Sequence, residues 1–278
     1  MKKILITGGA GYIGSHTAVV MVEAGLTPII LDDLSNSSES VIDRLEEIMG
    51  YKPIFYKGDC NDSSILNQIG KEHQLAGVIH FAAYKAVGQS TQEPLKYYQN
   101  NLGSLMVLLD FMKREGIQDL VFSSSCTVYG QPDVLPVTET TPRKDAESPY
   151  GNTKKVCEDI LVDYVKSKAG VRVISLRYFN PVGAHPSAKI GELPNGVPNN
   201  LVPFVTQTAA GLRNKLTVFG NDYDTSDGSC VRDFIHVMDL ADAHVKALNY
   251  LGEQDANFYD VFNVGTGHGN TELEVADR

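Results

Sequence analysis

Short apolar runs alternate with segments of helical periodicity along most of the chain. The apolar runs predict strands at residues 4–7, 28–31, 53–56, 78–81, 120–123 and 171–176, and the periodic segments predict helices at 12–23, 38–49, 95–114 and 150–168. Strands that are apolar throughout and separated by helices are typical of a parallel sheet covered on both faces. We therefore predict an α/β fold with a doubly wound parallel sheet of the Rossmann type.

The composition changes after residue 177. Residues 180–200 are rich in Pro, Gly and Asn, which favour loops. We predict a Rossmann domain over residues 1–180 and a smaller C-terminal substrate-binding lobe over residues 181–278. The final stretch, NTELEVADR, holds barely two turns of helical pattern, a length that is marginal without packing partners. We therefore expect this lobe to be truncated at its C-terminus.

Charge and cysteine spacing limit the possible partners. The net charge of −10 argues against nucleic-acid and anionic-membrane binding, although a small anionic ligand remains possible. Cys60, Cys126, Cys157 and Cys230 are far apart and form no CxxC pair, so we expect free thiols and no metal site. The apolar run after the basic start ends at Gly8, too early for a signal peptide, and no window could span a membrane. We expect a cytoplasmic protein.

Residues 4–15 read ILITGGAGYIGS, a strand, a glycine turn and the start of a helix. This order is the context that a dinucleotide-binding fingerprint requires. Gly8 allows the tight turn, Gly11 lets the backbone approach a pyrophosphate, and Gly14 permits close packing of helix and sheet. The helix N-terminus then faces the pyrophosphate, where free N–H groups favour an anion.

Acidic residues follow the second and third predicted strands. Asp32 stands where a carboxylate accepts hydrogen bonds from the ribose hydroxyls of the adenosine half of a dinucleotide. It would repel a 2′-phosphate, and residues 32–41 contain no Arg or Lys, so we predict NAD rather than NADP. The alternative for Asp32 is an ordinary turn residue. Asp59 ends the third strand, where the adenine should lie, and FAAYK (81–85) follows the fourth strand.

The stretch SPYGNTKKVCE places Tyr150 and Lys154 four residues apart, on one face of a helix. A tyrosine pKa of about 10 falls beside an ammonium or the positive ring of NAD⁺. Tyr150 could then remove a proton from a sugar hydroxyl near neutral pH. Ser123 to Ser125 end the fifth strand, where the nicotinamide end should lie. The alternatives are an ordinary Tyr–Lys helix face and a polar strand end.

Six segments together resemble a known family. TGGAGYIGSH, HFAAYKAVGQS, SSSCTVYG, SPYGNTK, RYFNPVGAHPS and VRDFIHVMDLADAH occur in this order over nearly the whole chain. They resemble the extended short-chain dehydrogenase/reductase family, and within it the 4-epimerases of UDP-hexoses. The resemblance implies that Tyr150 is the catalytic base, that Ser125 is its partner, and that Lys154 is the cation that binds the nicotinamide ribose.

The resemblance also implies two sets of binding residues. Those lining NAD, besides the residues named above, are Tyr12, Ile13, Asn36, Ser37, Cys60, Phe81, Ala82, Lys85, Asn100, Ser123 and Phe179. Those binding the UDP-sugar are Ser125, Tyr150, Asn180, Asn200, Leu201, Val218, Phe219 and Arg232. A planar guanidinium suits a diphosphate. The alternative for Arg232 is a surface ion pair with Asp233.

The activity that the resemblance implies belongs to galactose metabolism. It is interconversion of UDP-galactose and UDP-glucose by inversion at sugar C4, through a 4-keto sugar and with tightly bound NAD. The helices at 95–114 and 150–168 resemble those that form a homodimer in the family. Related dehydratases carry an Asp–Glu pair where this chain has Cys126 and Thr127, which disfavours dehydration. Another UDP-sugar enzyme, such as a decarboxylase or 4-reductase, and an NAD-binding sensor or scaffold stay open as alternatives.

Overall fold

Seven parallel strands form the central sheet of the protein. The computed structural model describes residues 1–198 and 200–277. The strands are β1 (Lys3–Thr7), β2 (Thr27–Asp32), β3 (Ile54–Lys57), β4 (Leu75–His80), β5 (Asp119–Ser125), β6 (Arg172–Tyr178) and β9 (Phe258–Val264). Their order is β3-β2-β1-β4-β5-β6-β9, and every neighbouring pair is parallel. The predicted doubly wound parallel sheet is confirmed, and its strand order reverses between β1 and β4, where ligands bind in such sheets.

Helices cover both faces of this sheet. The helices are α1 (Tyr12–Glu23), α2 (Ser40–Met49), α3 (Ser63–Glu72), α4 (Val87–Gln92), α5 (Pro94–Glu115), α6 (Pro149–Lys166) and α8 (Val237–Leu251). One buried cluster joins α1, α2 and α8 to alternate strand residues such as Ile4 and Ile6, and the other joins α3, α5 and α6 to residues such as Leu5. Successive side chains of β1 thus enter opposite cores, as a strand buried on both sides requires.

The structure adds elements that the apolar pattern did not predict. Helix α3 begins after Asp62, whose side chain accepts a hydrogen bond from the backbone N–H of Ser64 at 2.8 Å. Strands β5 and β6 run on to Ser125 and Tyr178, which are partners in the strand register. The prediction ended both strands early because it treated polar residues as strand ends, whereas these polar side chains are buried.

The chain after residue 180 contributes to two regions. The small lobe, defined as residues 180–236 and 269–277, holds β7 (Asn180–Val182), α7 (Leu201–Ala209), β8 (Val231–His236), β10 (Gly269–Thr271) and α9 (Glu272–Asp277). Its strands form a second sheet in the order β10-β8-β7. Residues 237–264 instead return to the central sheet, where β9 pairs with β6 and α8 packs on α1. The division of the chain into two domains at residue 180 stays a prediction. The structure adds that residues 237–264, which follow this boundary, pack with the central sheet.

Candidate active site

The glycine turn between β1 and α1 has no room for a side chain at Gly8 or Gly14. Gly8 has a φ of +69°, and a Cβ there would lie 2.8 Å from the backbone nitrogen of Ala82. A Cβ at Gly14 would overlap the carbonyl oxygen of Gly8. No side chain caps the N-terminus of α1 at Gly11. The first N–H groups of α1 therefore face a close-packed turn and can bind an anion, which fits a pyrophosphate.

Asp32 is fixed at the end of β2. One carboxylate oxygen accepts a hydrogen bond from the N–H of Ala10 at 3.0 Å. The other accepts from the N–H of Leu34 at 2.9 Å and from the hydroxyl of Ser37 at 3.0 Å. Burial raises the pKa of Asp32, while these hydrogen bonds oppose the shift. The carboxylate is therefore held in one orientation beside the glycine turn, as recognition of a ribose diol requires.

A cleft runs from the glycine turn to the ends of β5 and β6. It is lined by the predicted cofactor residues Gly8, Gly11, Gly14, Tyr12, Ile13, Asp32, Asn36, Ser37, Asp59, Cys60, Phe81, Ala82, Lys85, Asn100, Ser123, Tyr150 and Lys154. Phe179 is outside this lining; its N–H donates to the carbonyl of Val264. The cleft also contains Tyr178, which sequence reasoning missed. Its position at the end of β6, beside the serines of β5, was the available signal.

Residues 190–195 form one wall of the cleft. The Nζ of Lys85 lies 3.3 Å from a carboxylate oxygen of Glu192, and the same oxygen accepts a hydrogen bond from the side chain of Asn200 at 2.5 Å. The hydroxyl of Tyr12 donates to the carbonyl of Gly183 at 2.7 Å. The wall is thus tied to the loop after β4, while α1 is tied to the residue that follows β7. The sequence did not indicate Glu192, because its partner is 107 residues away.

The catalytic candidates meet at the far end of the cleft. Helix α6 begins at Pro149, and the hydroxyl of Ser148 caps it by accepting from the N–H of Gly151 at 3.1 Å. Tyr150 is therefore in the first turn, half-buried at the cleft edge. The ammonium of Lys154 donates to the carbonyl of Ser123 at 2.6 Å. This bond joins α6 to the end of β5, so Tyr150, Lys154 and the serines of β5 lie in one region.

The charges of the two central residues differ from the expected pattern. Burial lowers the pKa of Lys154 to about 8, opposed by Cys157 and Glu158. Burial raises the pKa of Tyr150 to about 12, opposed by the side chain of Ser125. Lys154 was expected to lower the pKa of Tyr150, but its ammonium points to the Ser123 carbonyl. The chain alone therefore does not make Tyr150 a base near neutral pH; a further positive charge in the cleft is required.

The predicted UDP-binding residues lie mostly on the small lobe. Tyr150 lines the cleft, whereas Ser125 lies buried at the end of β5 outside that lining. The side chain of Asn180 donates to the carbonyl of Asp233 at 3.1 Å, and Phe219 is 80% exposed. The structure therefore does not bring this set together in the cofactor cleft. The residues outside its lining are Ser125, Asn180, Asn200, Leu201, Val218, Phe219 and Arg232.

Arg232 is exposed and makes no ion pair with Asp233. The Asp233 carboxylate accepts hydrogen bonds from the N–H and hydroxyl of Thr266 and from the N–H of Gly267, at 2.7–2.9 Å. Within residues 1–198 and 200–277, no acidic side chain lies within 4.0 Å of the Arg232 guanidinium. The alternative of a surface ion pair is thus absent from the described structure, and the guanidinium can bind an anion.

The described residues contain no group of three or more His, Cys, Asp or Glu side chains arranged to hold a metal ion. All four cysteines are free thiols. No helix in the described part of the chain is both long and apolar enough to cross a bilayer.

Residues 4–265 match the model of the NAD dependent epimerase/dehydratase family. This chain belongs to that family. The resemblance found in the sequence is confirmed, and the NAD dependence of the family agrees with the glycine turn and Asp32. Among curated relatives, the UDP-glucose 4-epimerase of Erwinia amylovora is 50% identical over 272 residues, which cover 98% of this chain and 80% of that protein.

Two solved structures of family members are similar to the whole described fold. The UDP-glucose 4-epimerase of Stenotrophomonas maltophila, with bound NAD and formylated UDP-arabinopyranose, has a TM-score of 0.95 at 47% identity, covering 99% of this chain and 81% of that one. The enzyme of Bifidobacterium longum, with NAD⁺ and UDP, has a TM-score of 0.95 at 44% identity over the same shares. The fold is therefore that of this family.

Proposed function

We propose that the protein is an isomerase, an NAD-dependent epimerase that interconverts UDP-galactose and UDP-glucose by inversion at sugar C4. The observation that carries the proposal is the meeting of Tyr150 and Lys154 with the serine-bearing end of β5, in a cleft that begins at the glycine turn. Similarity to UDP-glucose 4-epimerases over nearly the whole chain supports the same reaction.

The cleft fits NAD at both ends. The close turn at Gly8 and Gly14 would receive the pyrophosphate, Asp32 the adenosine ribose, and Asp59 the adenine edge. Lys154 would bind the nicotinamide ribose, next to Ser123. When bound, NAD takes up a hydride from sugar C4 and returns it to the opposite face. The remaining predicted cofactor residues, Phe179 included, are proposed as contacts along this path.

Tyr150 would move the proton of the sugar 4-hydroxyl. Burial holds its phenol protonated in the chain alone, with a pKa of about 12. The positive charge of a neighbouring cofactor ring would favour phenolate and bring Tyr150 into the range of a general base. Ser125, which already lowers that pKa, would share the hydrogen bond to the sugar hydroxyl. Loss of the hydroxyl proton to Tyr150 together with loss of hydride from C4 would give the 4-keto sugar, and return of hydride to the other face of C4 with return of the proton to the oxygen would give the epimer.

The UDP group would supply most of the binding energy. Because this group does not react, it can keep the substrate in the site while the sugar turns. Arg232, whose guanidinium is exposed, would bind the diphosphate bidentately. Ser125 and Tyr150 would contact the sugar. The other proposed contacts for the UDP-sugar are Asn180, Asn200, Leu201, Val218 and Phe219.

Dehydration is not supported by the residues that follow Ser125. Burial raises the pKa of the Cys126 thiol to about 11, so it stays neutral, and the Thr127 hydroxyl has no ionisable proton near neutral pH. Neither can replace a pair of carboxyl groups. We further propose that the protein is cytoplasmic. We also propose a homodimer formed through α5 and α6, and the exposure of the apolar side chains of Leu95 and Met106 on α5 supports this interface.

The direct test is a proton NMR time course of UDP-galactose with the purified protein and no added NAD. We expect UDP-glucose to appear and approach a fixed ratio. Tyr150→Phe should lose about 10²–10⁴-fold in rate, the usual contribution of a general base, while still binding UDP. Tyr164→Phe is the matched control, because Tyr164 is on the same helix and its hydroxyl has no partner among the described residues. Near-normal turnover by Tyr150→Phe would remove Tyr150 from its role.

A further inference from the structure

Glu158 is a buried carboxylate on the helix that carries Tyr150 and Lys154. It stands one turn after Lys154, and its side chain is 1% exposed. Its Oε1 accepts a hydrogen bond from the hydroxyl of Ser124 at 2.6 Å. Arg177 binds both carboxylate oxygens, with Nε 2.9 Å from Oε1 and Nη2 2.6 Å from Oε2. The two neighbouring strand ends thus converge on one side chain of α6.

Arg177 extends this contact across the ends of the sheet. Its Nη1 donates to the hydroxyl of Tyr129 at 3.1 Å, and that hydroxyl donates to Oδ1 of Asn263, on β9, at 2.6 Å. On the other side, Nη1 of Arg143 lies 3.2 Å from Oε2 of Glu158. Every charged group in the network therefore has a partner. Buried ion pairs of this kind add little to stability compared with apolar residues of similar volume. Holding neighbouring elements in a fixed position therefore explains the network better than stability does.

The strand end that Glu158 holds is the one that Lys154 binds. Ser123 offers its carbonyl to Lys154, Ser124 donates to Glu158, and Ser125 is the proposed partner of Tyr150. We propose that Glu158 is a positioning residue for Lys154 and Tyr150: by binding Ser124 and Arg177 it fixes α6 against the ends of β5 and β6. This inference rests on the proposed function only for its effect on turnover.

The negative charge of Glu158 also acts on the ammonium of Lys154. The other groups around that ammonium are neutral. Burial lowers the pKa of His80, on β4, to about 3 and raises the pKa of the Cys157 thiol, on α6, to about 12. Burial also raises the pKa of the phenols of Tyr150 and, on β6, Tyr178.

The guanidinium groups of Arg143 and Arg177 bind Glu158, and neither residue lines the cleft. Cys157 and Glu158 both raise the pKa of Lys154 against the effect of burial, and of the two only Glu158 is charged where Lys154 titrates. A neutral side chain at position 158 would remove this support and leave the Arg177 guanidinium without the carboxylate that it binds, whereas Arg143 keeps its ion pair with Asp159. Both changes lower the pH at which Lys154 loses its proton.

The test is Glu158→Gln, with the titration of Lys154 as the readout that does not depend on activity. Lysines labelled with ¹³C at Cε are followed by NMR, and the Lys154 signal is assigned with Lys154→Met. We expect Lys154 of the variant to titrate at lower pH than in the parent. The alkaline limb of the kcat profile should move in the same direction. Displacement of α6 should cost about a hundredfold in kcat, with UDP affinity unchanged.

Asp119→Asn is the matched control. The Asp119–Arg172 pair, 2.6 Å apart, joins the opposite ends of the same two strands. Its loss should lower Tm while leaving the Lys154 titration and the kcat profile at parental values. If the Lys154 titration shifts in Asp119→Asn as far as in Glu158→Gln, then any destabilisation of these strands is enough to lower the pKa of Lys154. That result would overturn the proposal.

The double variant Glu158→Gln/Arg177→Met covers the case in which Glu158→Gln alone does not fold, because it leaves no unpaired guanidinium at position 177. We expect it to regain Tm but to keep the low kcat and the lowered Lys154 pKa. Recovery of parental kcat together with Tm would overturn the positioning role, as would a parental titration in Glu158→Gln. If the parent itself does not convert UDP-galactose but Lys154 still shifts only in the Glu158 variants, the positioning stands and the proposed function fails.

Discussion

The cofactor cleft and the small lobe hold their predicted residues in different ways. In the cleft, backbone geometry fixes the site: the turn at Gly8 excludes any side chain, and Asp32 is held by hydrogen bonds from two N–H groups. On the small lobe, Arg232 is exposed, and Phe219 is 80% exposed. The dinucleotide half is thus preorganised, whereas the proposed UDP half relies on side chains that a ligand must order. Substitutions in the cofactor cleft should therefore lower the stability of the fold, whereas substitutions on the small lobe should lower only the affinity for the UDP-sugar.

The largest expected effect is at Gly14. In Gly14→Ala the new Cβ meets the Gly8 carbonyl and the Cα of Gly9, so α1 must move away from β1. Overpacking of this kind costs about 1–3 kcal/mol of unfolding free energy, and the displaced helix end should no longer retain NAD. The measurements are urea unfolding and NAD content after purification. Gly88→Ala is the control, since a Cβ there meets nothing within 4 Å. Full NAD retention in Gly14→Ala would show that the turn is less constrained than its geometry indicates.

An intermediate effect is expected at Arg232. Removing a charged donor to a diphosphate costs about 1.5–3 kcal/mol, which is about a 10- to 100-fold rise in KM for the UDP-sugar. NAD content and Tm should be unchanged, because among the described residues the guanidinium bonds only to the backbone of Val231. Arg213→Ala is the matched control on the same lobe; Arg213 stacks on Phe204 and bonds to Gln207. If kcat falls and KM does not change in Arg232→Ala, Arg232 acts on the reacting sugar and not on the diphosphate.

The same contrast explains what the sequence could predict. Gly8, Asp32 and the Tyr150–Lys154 pair have local signatures, because a tight turn, a strand end and a helix face are each set by a few neighbouring residues. Glu158 and Glu192 have none. The first is explained by Arg143, Arg177 and Ser124, all outside its own helix, and the second by Lys85 on a distant loop. Contacts that form across the sheet leave no spacing rule in a single sequence.

The pKa of Tyr150 shows a second limit of the sequence. The spacing to Lys154 correctly places both residues on one helix face, but it carries no information on where the ammonium points. The ammonium of Lys154 donates its hydrogen bond to the carbonyl of Ser123, and burial has the largest effect on the pKa of the Tyr150 phenol. Ser123 lies within the predicted strand, but the direction of its carbonyl toward α6 is set by the packing of that helix on the sheet.

The smallest effect is expected where the small lobe meets the cleft, at the pair of Lys85 and Glu192. The Glu192 side chain is 10% exposed and Lys85 is 48% exposed, so the pair is half in solvent. Pairs of this kind contribute about 0–1 kcal/mol, and Glu192→Gln should speed the exchange of bound NAD for labelled NAD by less than about fivefold. Because salt screens exposed charges, the difference from the parent should shrink at high ionic strength. Asp242→Asn, which breaks the exposed pair with Lys246 on α8, should leave exchange unchanged. Parental exchange in Glu192→Gln at low salt would mean that residues 190–195 wall the cleft without retaining its cofactor, and retention would then rest on the other proposed contacts, first among them the glycine turn and Asp32.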